Sequence, residues 1–274
     1  MFDRIHNAWS LAKSSWRVLQ HDRELAWLPV IASVVGLLVG AAFFGPVLAM
    51  LGGGGEDNAI PAAGYLLGFL GYVAVASVFY LGRAAVVHGA NLRMEGGDPT
   101  VGSSVRGASA HWPAVVGFAA IATTVGLILD ALEDQGGIAG AIASFIGGAA
   151  WRLVTYLVLP VVVIEGAGPI EGIKGSSRLV KGTWGEQVTG NVGFGLLGLL
   201  LVAPVVAVAF LAAGLGTAVG IAAFAAAGVW AITVFAMVSA LEGVFQTALY
   251  RQATGRSIPA EFSASDLAGA ARRR

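Results

Sequence analysis

Long apolar stretches alternate with short polar ones along this chain. Near-uncharged runs cover about residues 25–51, 62–87, 112–132, 138–164, 188–213 and 217–250. Each exceeds the ~18 residues that mark a transmembrane helix candidate. Backbone amides in lipid must find partners within their own segment, so these runs predict helices; the short alternating strands of a β-barrel are not seen. "GGGGEDNAIP" (52–61), "DALEDQGG" (130–137) and "GLGT" (214–217) read as loops, and "MEGGDPT" (94–100) as a turn carrying a helix-start signal.

Between the apolar pairs the period changes. In residues 2–22, Phe2, Ile5, Trp9, Ala12, Trp16 and Leu19 recur by threes and fours, and in residues 169–185 so do Ile170, Ile173, Ser177, Val180 and Trp184. Residues 99–111 repeat the pattern more weakly. Such spacing gathers apolar residues on one helix face. With basic residues opposite and tryptophan near the membrane, the segments suit helices lying in the interface. A helix packed on a partner or on its own bundle is the other reading. The predicted fold is all-α: a polytopic membrane protein with six transmembrane helices in three hairpins, each preceded by an amphipathic interfacial helix. Residues 1–250 form a single membrane domain and 251–274 a cytoplasmic tail.

Composition agrees with this. The chain is 57% hydrophobic and 12% charged, about half the charge of a soluble domain. Its 40 glycines suit close helix packing in lipid. The absence of cysteine removes disulfides and thiol chemistry. The first residues carry charges throughout, unlike a secretory signal. A net charge of zero suggests no nucleic-acid partner.

Charge placement orients the chain. Lys and Arg stand before the first run, between the second and third, between the fourth and fifth, and after the sixth. The opposite loops hold only Glu56, Asp57, Asp130, Glu133 and Asp134. By the positive-inside rule both termini are expected to be cytoplasmic, in a multi-pass protein of the plasma (cell inner) membrane.

Three stretches carry a family likeness: "RIHNAWSLAKSSWRVLQHDRELAWLP" (4–29), "TYLVLPVVVIEGAGPIEGIKGSSRLVKGTWGEQVTGN" (155–191) and "VFQTALYRQATG" (244–255). They resemble a large family of uncharacterised polytopic membrane proteins of bacteria and archaea. The layout is more loosely similar to the membrane domain of some glycerophosphodiester phosphodiesterases. Neither likeness implies a substrate, cofactor or catalytic residue.

The residues themselves offer little catalytic chemistry. The four histidines are scattered, and no HExxH, Walker loop or GxSxG occurs. The expectation is a non-enzymatic protein without cofactor or metal. The leading reading is a membrane protein that binds lipid, anionic lipid included, or a partner membrane protein. A transporter or channel for a small solute is the alternative, motivated by polar residues within spans.

Two sets of residues are candidates. The interfacial set is Trp9, Lys13, Trp16, Arg17, Lys174, Arg178, Lys181 and Trp184, placed to meet lipid headgroups. The intramembrane set is Arg152, Thr155, Tyr156, Asn191, Glu242 and Gln246. Arg152 lies roughly 20 Å from either end of its run by helical rise. Ser144, Gly148, Arg152, Thr155 and Tyr156 form a stripe, and Ser239, Glu242, Gly243 and Gln246 another. An inward Arg152 paired with Glu242 is the expected contact.

Overall fold

The computed structural model describes residues 23–52, 61–183 and 193–257. These are helical, with no strand among them. In chain order the helices are α1 (Arg23–Gly52), α2 (Ala62–Met94), α3 (Val101–Ser109), α4 (Trp112–Gln135), α5 (Gly137–Thr155), α6 (Val158–Glu165), α7 (Pro169–Thr183), α8 (Gly193–Ala213) and α9 (Thr217–Ala253). Five stretches are long and apolar enough to cross a membrane: α1, α2, α4, α5 with α6, and α9. A shorter apolar stretch, Gly198–Ala213, lies in α8. Helices α1 and α2, α4 and α5, and α8 and α9 pack as neighbouring pairs, and α9 also packs on α1 and α2.

Helix limits follow local chemistry. Thr100 starts α3 through a capping box: the Ser103 N–H donates to Thr100 Oγ1 at 3.1 Å and the Thr100 N–H to Ser103 Oγ at 2.9 Å. This is the start signal read in "MEGGDPT". Gly137, at φ 54°, makes the turn from α4 into α5, a backbone region that favours glycine.

The run at 138–164 is not the continuous helix expected. It breaks at Tyr156 and Leu157. Pro160, third residue of α6, has no N–H to offer the Tyr156 carbonyl, so the α-ladder cannot pass through. Tyr156 N–H turns to the Leu153 carbonyl at 3.3 Å. The Leu157 N–H donates to Ser176 Oγ of α7 at 3.0 Å. A hydroxyl from another helix thus satisfies the donor freed by the break.

Helix α7 packs against α6 and α5. Its covered face holds Gly172, Gly175, Ser176 and Val180. A Cβ on Gly172 would stand 2.8 Å from Val162, and one on Gly175 2.9 Å from Val161, so glycine is what permits this approach. Ile170, placed by periodicity on the covered face, is 53% exposed. The buried face is rotated toward the small residues and is covered by the protein's own bundle.

The packed core gathers at one end of the molecule, here called the cap end. It includes the start of α1, the last third of α2, the start of α4, α6, and the last third of α9, with Leu25, Val87, Phe118, Leu157, Val162 and Phe245 among its members. Toward the opposite, open end the large apolar side chains face outward: Leu37 is 62% exposed, Phe145 78% and Leu215 78%.

Candidate functional site

A polar layer separates the two ends. Arg83 of α2 forms an ion pair with Glu242 of α9. Gln246, one turn further along α9, donates through Nε2 to Glu242 Oε1 at 3.3 Å and is 4% exposed. Tyr156, at the break between α5 and α6, stands among Glu242, Gln246 and Arg83. Two helices, α2 and α9, and the break between α5 and α6 therefore bring one cation, one carboxylate, one amide and one phenol together.

The depth of this layer is informative. From Ala62 to Arg83 the rise is about 31 Å, from Gly137 to Tyr156 about 28 Å and from Thr217 to Glu242 about 37 Å, while α8 is about 31 Å long. A hydrocarbon core is about 30 Å thick. The polar layer thus stands roughly one bilayer thickness from the open end. The well-packed cap lies beyond it.

The expected pair of Arg152 and Glu242 does not form. Glu242 faces Arg83, and Arg152 is exposed. The reason is angular. Steps of four residues drift by about 40° each around a helix. Ser144 is buried in the α4–α5 pair, with its Oγ 3.4 Å from Glu133 Oε2, and a Cβ on Gly147 would meet Leu129 at 2.9 Å. Two steps beyond Ser144 the stripe has turned Arg152 out of that contact. Thr155 also stays outside the cluster: its Oγ1 donates to the Trp151 carbonyl at 2.7 Å. Of the intramembrane set, the structure unites Tyr156, Glu242 and Gln246. Asn191, Trp9, Lys13, Trp16, Arg17 and Trp184 lie outside the described residues. Lys174, Arg178 and Lys181 are all exposed, on the side of α7 away from its covered face.

Sequence reasoning missed Arg83, reading it as a topology charge at the end of a span that closed near Val87. The helix runs on to Met94. Arg83 stands eleven residues before that end and Glu242 eleven before Ala253, the end of α9. Equal counts were the available signal.

It also missed a second network at the cap. Arg251, read as the first residue of a tail, belongs to α9 and is 3% exposed. It donates to Asn91 Oδ1 at 2.7 Å, Glu95 Oε1 at 3.2 Å, the Ser257 carbonyl at 2.8 Å and Ser257 Oγ at 3.1 Å. Beside it the Tyr250 hydroxyl donates to Glu165 Oε1 at 2.7 Å, and the Arg256 guanidinium sits 5.7 Å from the Tyr250 ring centre. This network ties the ends of α2, α6 and α9 together. Among the described residues, no group of three or more His, Asp or Glu is placed to hold a metal ion.

Long apolar helices, outward apolar side chains and a polar layer at bilayer spacing define a multi-pass α-helical membrane protein. The model of a family of unknown function, DUF6159, matches residues 62–258, more than half of the chain, and the chain belongs to that family. Two of the three stretches that carried the likeness fall inside the match, while residues 4–29 precede it. No curated protein matches the chain.

Proposed function

We propose that this protein is a non-enzymatic six-span membrane protein that binds lipid at the cap-side surface of the plasma membrane, with the cap and both termini in the cytoplasm. The observation that carries the reading is the two-sided character of α7. One face is buried against α6, while the other exposes Lys174, Arg178 and Lys181 near the polar layer. A cation held there meets the headgroup region, where each contributes about 1 kcal/mol against an anionic leaflet. Helix α8, paired with α9, supplies the sixth span in this reading.

The test is extraction of the tagged protein with its surrounding lipid into native nanodiscs, followed by mass spectrometry. Enrichment of anionic phospholipid over the bulk membrane supports the proposal; lipid of bulk composition overturns it. Cysteines placed at Glu133 and Arg178 report orientation. Labelling by an impermeant thiol reagent in intact cells is expected at the first and not at the second.

A transporter for a small solute is the second reading, favoured by the broken span: the break at Tyr156 abuts the Arg83–Glu242 pair. Transporter sites are commonly built on discontinuous helices. Solute flux into proteoliposomes above that of empty vesicles would establish it.

A further inference from the structure

Among the described residues, Arg152 is a charge within a membrane span that the packing leaves without an ion-pair partner. It is exposed on α5, and no carboxylate among the described residues faces it. It stands four residues before Tyr156, so it lies about 6 Å on the membrane side of the polar layer. A bare guanidinium in hydrocarbon is costly, and arginine relieves the cost by extending its head to the interface. The nearest interface is the cap side.

The neighbouring surface there is basic. Helix α7 runs from Gly172, beside Val158 and Val162, to Ser176, at Leu157, and it also packs on α5. Continued in that direction, its last turns approach the end of α5, where Arg152 stands. Those turns expose Arg178 and Lys181. The only acid in α7, Glu171, is in its first turn. In a second copy of the chain packed side by side, Glu242 is already held by Arg83 and Glu165 by Tyr250, while Asp130, Glu133 and Asp134 stand at the opposite, open end of α4.

We propose that Arg152 seats the headgroup phosphate of an anionic phospholipid of the cap-side leaflet, with Arg178 and Lys181, exposed on the outer side of the last turns of α7, adding positive potential around it. Arginine suits this task because its planar fork can take two phosphate oxygens at once. The proposal rests on the lipid-binding reading above and adds the residue that fixes one lipid in place.

Full-length protein in an uncharged detergent is titrated with phosphatidylglycerol, and with phosphatidylcholine for comparison, while thermal unfolding is followed. Phosphatidylglycerol is expected to raise the Tm and phosphatidylcholine to leave it unchanged. Arg152→Gln is expected to weaken the apparent affinity about 5-fold, the equivalent of one cation near an anionic surface. Arg178→Gln with Lys181→Gln weakens it further, Arg152→Lys keeps most of the response, and Arg106→Gln, on α3, leaves it intact. If wild type does not distinguish the two lipids, the lipid-binding reading itself falls. If wild type distinguishes them but Arg152→Gln titrates identically, the seat alone is overturned. An unchanged lipid response together with loss of a copurifying protein from Arg152→Gln also overturns it, assigning Arg152 to a partner's carboxylate.

Discussion

The cap end and the open end are built from the same helices under opposite rules. In the cap, α2 and α9 bury side chains on every side, and Tyr250, Phe245, Val86 and Val87 are essentially inaccessible. Past the polar layer toward the open end, the same two helices expose Tyr65, Phe69, Ile221 and Val229. The difference follows from the solvent. Lipid tails are as apolar as leucine, so burying leucine against protein gains little there, and helices associate through close packing and small residues instead. Water or headgroups surround the cap, so apolar burial drives its packing, at about 25 cal/mol for each Å² removed from water. Stability is therefore expected to concentrate in the cap.

Substitutions at graded positions test this comparison. Arg251→Ala should have the largest effect, removing a buried cation that joins α2, α9 and the segment at Ser257. A loss of about 3 kcal/mol is expected in detergent unfolding, since Asn91 and the half-exposed Glu95 recover only part of what they lose by meeting water. A loss no greater than that of a surface substitution would show that the cap is not the stable unit.

At the boundary, Arg83→Ala or Glu242→Ala should each cost about 2 kcal/mol, and the double variant less than their sum, because each single change leaves the opposite charge without its counter-ion. Strictly additive losses in the double-mutant cycle would mean that the two charges are independently solvated.

Ser176→Ala tests the broken span. It leaves the Leu157 N–H without its acceptor and should cost about 1 kcal/mol. Amide hydrogen exchange at Leu157 should rise with it, and unchanged exchange would show that another group holds the break. The smallest effect is expected at the open end. Leu37→Ala, at a side chain 62% exposed on the outside of the bundle, should shift stability by less than about 0.5 kcal/mol. A core-sized loss there would mean that the open end is covered by protein rather than lipid.

The five long apolar helical stretches were legible from composition and run length alone, because lipid leaves the backbone no alternative to local hydrogen bonding. Even the break has a local cause in Pro160, although a run that was apolar throughout concealed it. The start of α3 was legible for the same reason, Thr100 and Ser103 being three residues apart.

Partners across helices were not legible in this way. Glu242 had two arginines within reach of a depth count, Arg83 and Arg152, and the count was distorted by ending the second span near Val87. The choice between them was made by which face of α5 packs on α4 and which faces outward. Likewise, the period of three and four in 169–185 marked a two-faced helix. Gly172 and Gly175, carrying no hydrophobic signal of their own, determined that the bundle covers one face. Arg251 looked like any other basic residue after a span until Asn91, Glu95 and Ser257 surrounded it. Local hydrogen bonding and hydropathy act over a few neighbouring residues and are written in the sequence; helix rotation and close approach are set by all the faces at once, and only the tertiary structure decides them.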